Sequence, residues 1–161
     1  MASLLQWQCH CFEEFTLFSL YEMLSLRDRV FVLEQQSIYG DLDGLDQLAW
    51  HIEGRDRAGT LMAYARLVPP GHKYSDAVAI TRVVVSPGMR GSGIGRFLLG
   101  EALRQCETLF PGVPQKLSAQ VTAVAFYQAL GFAQTSAAYD DGGILHVDML
   151  RDASVVVRKL Q

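Results

Sequence analysis

The sequence predicts an α/β domain built on a mixed sheet. Three observations carry that prediction. Short apolar runs with strand character recur along the chain, two long stretches place apolar residues at helical spacing, and turn residues punctuate the junctions between them. At 161 residues the chain is read as one domain, since compact domains hold roughly 100–150 residues. A domain of this size buries about 70% of the surface its unfolded chain exposes, so it needs neither disulfides nor metals to build a core. Residues 1–150 are taken as that domain. Residues 151–161 form a tail whose Val155-Val156-Val157 is a candidate added strand or homodimer contact.

The elements follow in order. Residues 4–11 alternate apolar and polar and read as a strand. From Thr16 to Glu34, Leu17, Leu20, Tyr21, Leu24, Val30 and Phe31 recur at helical spacing, with Thr16 or Ser19 as the cap, in a region long enough to be split in two. Residues 35–47 are acidic and turn-rich. Leu48–Glu53 and Leu61–Val68 read as strands, and Pro69-Pro70-Gly71 ends the second. Ala77–Val85 is strongly β-branched. Gly91–Phe110 is an amphipathic helix stopped by Pro111-Gly112. A strand at Leu117–Val121, a short helix at Ala123–Leu130, and strands at Phe132–Tyr139 and Ile144–Leu150 complete the order β-α-β-β-β-α-β-α-β-β.

Composition excludes several classes. Lys and Arg number 14 against 17 Asp and Glu, a net charge of −3, which argues against a nucleic-acid partner. No apolar run approaches the ~18 residues of a membrane helix, so no membrane partner is expected. The three cysteines, Cys9, Cys11 and Cys106, form no obvious disulfide pair and fit a reduced, cytoplasmic setting. Cys9-His10-Cys11 lacks a second ligand pair, so no metal is expected.

The informative segment is Ile80–Gly95, where a buried strand leads through a turn into a helix start crowded with Gly91, Gly93 and Gly95. Unpaired amides and the positive dipole end at such a start favour an anion, and Arg90 and Arg96 add charge. The same pattern also suits a tight strand-to-helix corner with no ligand. A Walker A loop fails because Ile94 follows Gly93, and the dinucleotide fingerprint fails at Arg96 and Leu98.

What does match is Arg/Gln-x-x-Gly-x-Gly/Ala at Arg90, Gly93 and Gly95. This resembles the coenzyme A pyrophosphate loop of the GNAT superfamily of N-acetyltransferases. Ala123-Val-Ala-Phe-Tyr-Gln-Ala-Leu-Gly-Phe132 resembles that family's second cofactor motif. The stretch Arg27–Gln35, then Asp41-Leu-Asp43, His51, Ala63–Leu67 and Tyr139–His146, is similar to the ElaA-like subgroup. The resemblance implies a mostly antiparallel mixed sheet and acetyl transfer from acetyl-CoA, as co-substrate, to a primary amine of a small molecule or peptide in a ternary complex. A non-catalytic acyl-CoA-binding or protein-interaction module on the same fold is the alternative.

Residue by residue, the resemblance implies that Val83, Val84 and Val85 offer backbone groups to the cofactor, that Arg90, Gly91, Ser92, Gly93, Ile94, Gly95 and Arg96 hold its pyrophosphate, and that Ala125 and Phe126 flank its pantetheine arm. Many relatives carry Asn at the position of Ala125, so this chain lacks that contact. Tyr127 matches the usual general acid, its phenol staying protonated near neutrality. Glu34, His51 and His146 are candidates for the general base, and each also reads as an ordinary helix-end or strand residue. Asp41, Asp43 and Asp46 gather in one loop that either draws a cationic acceptor by its local field or is an ordinary solvated turn. Arg66 and Arg82 lie within strands, where charge must be paired; Arg66 is a candidate for an acceptor carboxylate.

Overall fold

A computed structural model describes residues 4–154; the Val155–Val157 strand expected in the tail lies outside the described residues. The strands are β1 (Gln6–Cys11), β2 (Trp50–Arg55), β3 (Leu61–Val68), β4 (Val78–Val85), β5 (Gln115–Gln120), β6 (Ala133–Gln134), β7 (Tyr139–Asp141) and β8 (Ile144–Arg151). The α-helices are α1 (Leu17–Arg27), α2 (Ile94–Leu109) and α3 (Val124–Gln128). One sheet runs in the order β1-β2-β3-β4-β5-β8-β6, with β7 also paired to β8. Its pairs are antiparallel except β4 with β5, which are parallel and joined through α2.

The two-residue period of β4 divides its side chains between two cores. Val78, Ile80, Val83 and Val85 face the layer of α2 and α3, where Leu98, Leu99, Leu103, Leu117 and Met149 are buried. Val84 faces the other layer with Tyr64, Met23, Leu26 and Val30, under α1. On β2, Gly54 stands opposite Trp7, and a Cβ there would lie 2.6 Å from the Trp7 ring. The missing side chain lets the indole lie across the strand.

Thr16 caps α1, its Oγ1 accepting the Ser19 amide at 3.0 Å while Ser19 Oγ accepts the Thr16 amide at 3.0 Å. The expected long first helix does change character. After Arg27 it widens into a π-type turn over Asp28–Glu34, where the Gln35 amide reaches back to the Val30 carbonyl at 3.0 Å. Such widened turns occur often at functional sites.

The expected strand Phe132–Tyr139 breaks into β6 and β7. Between them Ser136 Oγ accepts the Asp148 amide at 2.8 Å and Thr135 donates its amide to the Asp148 carbonyl at 2.8 Å. A serine side chain replaces part of the backbone ladder there. The expected start of β2 at Leu48 shifts to Trp50 because Asp46–Leu48 forms a 3-10 turn.

Candidate active site

The site begins where the parallel pair fails. β4 and β5 are in register only at Val78 with Gln115 and Ala79 with Lys116. Beyond those residues the strands splay, and the gap opens into a cavity of about 450 Å³. Ile80, Thr81, Arg82 and Val83 line one wall; Leu117, Ser118, Ala119 and Gln120 line the other. The edge of β4 facing the gap therefore keeps backbone amides and carbonyls free for an extended ligand. Phe31 and Gln35 from the π-turn, Tyr39 and Asp41 from the acidic loop, Lys73, Tyr127, Asp141 and His146 complete the lining.

β4 is also bulged. Tyr64 stands opposite Val84 and Arg66 opposite Thr81, so Ala65 faces two residues, Arg82 and Val83. Arg82 takes a left-handed backbone conformation, with φ 54°.

At the head of α2, Gly91 and Gly93 have φ 77° and 82°, a conformation that side-chain-bearing residues avoid. A Cβ at either would meet no protein atom within 4 Å, so the glycines serve backbone shape and leave open space before the helix. The first two amides of α2 have no carbonyl one turn earlier, while the third, that of Arg96, donates to the Gly93 carbonyl at 3.1 Å. Gly95 faces the Phe126 ring, 3.8 Å from a Cβ built on it, which puts the glycine loop and α3 side by side. Ser92 is exposed, Ile94 is buried under the loop, and Arg96 is exposed with no ion pair to the described residues. Arg90 forms a two-pronged pair with Glu34, Nη1 to Oε1 at 2.6 Å and Nη2 to Oε2 at 3.2 Å. The Arg90 hydrogen bond holds the Glu34 carboxyl below its ordinary range.

Tyr127 lines the cavity with its ring edge-on to Phe126 and Phe132. Burial pushes its phenol up to about 12, so the hydroxyl holds its proton throughout the neutral range. It makes no hydrogen bond to the described residues. His146 lines the same cavity. Its Nδ1 donates to the Ile144 carbonyl at 2.8 Å, and in the neutral ring this leaves the lone pair on Nε2. The ring stacks on Tyr139.

His51 is placed elsewhere. It is fully buried, with Nδ1 accepting from the Tyr64 hydroxyl at 2.7 Å and Nε2 donating to the Asp46 carbonyl at 2.9 Å. Burial pushes it down to about 4. Both ring nitrogens are occupied, and the ring lies outside the cavity lining.

The acidic loop is held by three arginines. Arg27 Nε donates to Asp41 Oδ2 at 2.7 Å and its Nη1 to Asp46 Oδ1 at 2.6 Å. Arg66 Nη1 donates to Asp43 Oδ1 at 2.8 Å and to Asp46 Oδ1 at 2.7 Å, and its Nη2 to Asp43 Oδ2 at 2.7 Å. Arg82 Nε lies 2.8 Å from Asp41 Oδ1. Three acids meet three bases, so the group carries little net field toward a ligand. Burial alone would raise the Asp43 carboxyl, but the Arg66 hydrogen bonds and charge hold it well below the carboxylate range. Asp41 reaches the cavity wall, whereas Asp43 and Arg66 do not line it.

Of the residues expected in the site, Val83, Asp41, Tyr127 and His146 share one cavity. The loop residues Arg90–Arg96 sit beside α3, and Val84 turns its side chain into the α1 core. Sequence reasoning missed Phe31, Gln35, Tyr39, Lys73 and Asp141 as cavity residues. Among the described residues, no group of three His, Cys, Asp or Glu side chains is placed to hold a metal ion. No described helix is long and apolar enough to cross a membrane.

The profile of the acetyltransferase (GNAT) domain family matches residues 46–152. Protein ElaA of Escherichia coli K12 is 36% identical over 151 residues, which are 92% of this chain and 97% of that one. The crystal structure of E. coli ElaA superimposes with a TM-score of 0.86 at 35% identity, covering 92% of this chain and 99% of that one. An acyl-CoA N-acyltransferase from Pseudomonas aeruginosa superimposes with a TM-score of 0.86 at 39% identity, covering 91% of this chain and 99% of that one. The splayed parallel pair, the glycine loop and these likenesses agree, and the chain belongs to the GNAT superfamily of acyl-CoA-dependent acyltransferases, in its ElaA-like subgroup.

Proposed function

We propose that the protein transfers the acetyl group of acetyl-CoA to a primary amine of a small molecule or peptide, by direct attack within a ternary complex. The observation that carries this reading is the single cavity between the splayed strands, into which a free strand edge, a protonated phenol and an imidazole with an open Nε2 all face. The free edge of β4 suits the amides of an extended pantetheine arm, which would pair with it as an added strand does. The open glycine loop and the first amides of α2 suit a pyrophosphate. Arg90 exchanges its carboxylate partner for that phosphate, releasing Glu34.

The amine nitrogen forms a bond to the thioester carbon, the carbon–sulfur bond breaks, and the electron pair leaves on sulfur. His146 Nε2 takes the proton that the attacking amine loses. The Tyr127 hydroxyl gives its proton to the departing thiolate. Backbone amides of the β4 bulge steady the negative charge that builds on the carbonyl oxygen.

The test is thiol release from acetyl-CoA over a panel of amines, run beside Tyr127→Phe. The variant is expected to bind acetyl-CoA as the parent does while kcat falls by roughly 10²–10³. An unchanged kcat on the best amine removes Tyr127 from the role of acid. Stoichiometric acetyl-CoA binding with no thiol release from any amine favours a binding module instead.

A further inference from the structure

Arg82 is unusual among the described strand residues. It is not a glycine, yet it has φ 54°, a conformation disfavoured for L residues by roughly tenfold or more. It forms half of the bulge that turns β4 along the cavity wall. Such an outlier persists when its surroundings over-determine it, and here the restraints are visible. Arg82 Nη2 donates to the Asp41 carbonyl at 2.8 Å and to Asp43 Oδ2 at 3.3 Å. Its Nε and Asp41 Oδ1 face each other at 2.8 Å, and both atoms are buried with no other partner. Asp41 and Asp43 are themselves fixed by Arg27 and Arg66. Arg66 Nε also donates to Thr81 Oγ1 at 2.9 Å, securing the residue just before the bulge.

We propose that the Asp41, Asp43 and Arg82 ion pairs are a positioning device that holds the β4 bulge in shape and thereby sets the backbone at Val83 that faces the cavity. Arg82 is a positioning residue; its charge is spent on the loop and does not contact the acceptor. The part of this inference that concerns ligand binding rests on the acyl-CoA reading above. The part that concerns the backbone does not.

Arg82→Ala and Arg82→Gly distinguish this role from a charge contact, because both remove the same ion pairs and differ in backbone preference. At an ordinary strand position glycine is the less stable choice. At a positive φ the order inverts. Arg82→Gly is therefore expected to melt at a higher temperature than Arg82→Ala. Arg82→Ala is expected to bind acetyl-CoA about tenfold more weakly than the parent in calorimetric titration, and Arg82→Gly to recover most of that loss. Alanine equal to or better than glycine in both measurements overturns the proposal. A glycine variant that folds where the alanine variant does not supports it. Should neither fold, Asp43→Asn decides, with about threefold weaker acetyl-CoA binding in support and unchanged binding against. If the parent protein itself fails to bind acetyl-CoA, the acyl-CoA reading falls, while the melting order of the two Arg82 variants still judges the bulge.

Discussion

The glycine loop at the head of α2 and the ion cluster behind β4 both concentrate charge, and they use it in opposite ways. The loop presents Arg96 and the first helix amides to open space, with Arg90 tied by a single exposed pair. The cluster closes on itself, with Arg27, Arg66 and Arg82 matched against Asp41, Asp43 and Asp46. A charged residue that is unpaired or held only by an exposed pair suits a ligand site, and one enclosed by buried partners suits a scaffold. The accounting of partners separates the two regions; the charges alone do not.

The sharpest way to break this comparison is to remove one arginine from each region. Arg27→Met takes one buried arginine partner from both Asp41 and Asp46 and leaves them only Arg82 and Arg66. Unfolding free energy is expected to drop by about 3–5 kcal/mol, read from urea denaturation. Arg90→Met is expected to leave the urea midpoint unmoved and to weaken acetyl-CoA binding about tenfold, as loss of a charge-assisted hydrogen bond to phosphate would. The opposite pattern, a stable Arg27 variant and an unstable Arg90 variant with full affinity, would reverse the assignment of scaffold and site.

The next effect concerns the histidine that the cluster shields. His51 is pushed down to about 4 by burial, below an unfolded value near 6.5. The unfolded chain takes the proton first. The stabilisation is therefore fully present above about pH 6.5 and is lost as pH falls toward 4, by on the order of 3 kcal/mol. His10 works in the other direction. Burial opposes its protonation, but the hydrogen bond and charge of Glu53 raise its pKa, so it adds stability as pH falls. The His51 contribution is isolated by comparing the parent with His51→Gln, which keeps a donor for the Asp46 carbonyl and does not titrate. The parent should lose more stability than the variant between pH 7 and 4.5, and parallel profiles would mean that His51 is not held neutral.

These two regions also differ in how far the chain announces them. The glycine loop is legible because its cause is local. Gly91 and Gly93 need a positive φ within a few residues of one another, and a β-branched strand precedes them. The ion cluster is not, because each acid finds its base far away in sequence: Asp41 pairs with Arg27 and Arg82, Asp43 with Arg66. A local reading shows three acids in a turn and takes them for a lure or a solvated turn. The cavity lining has the same character, since Phe31, Lys73 and Asp141 come from separate loops that only the sheet order brings together. The break between β6 and β7 also escaped, since it depends on Ser136 reaching Asp148 on the neighbouring strand. The strands and α2 were readable, because periodicity encodes each of them within one segment.

The smallest effect tests how complete the open region is. Ala125 is exposed in the first turn of α3, next to Phe126, whose ring meets the loop at Gly95. The family resemblance implies an Asn at this position in many related chains, set against the pantetheine arm. If α3 faces that arm here as well, Ala125→Asn adds a donor and an acceptor to a surface that already bounds the cofactor. One net hydrogen bond is worth about 1 kcal/mol, so acetyl-CoA should bind roughly fivefold more tightly by calorimetry. The melting temperature should barely move, because the position is exposed. A variant with unaltered affinity and an intact fold would mean that α3 does not present this residue to the arm. The free edge of β4 would then have to supply the contacts to the arm by itself.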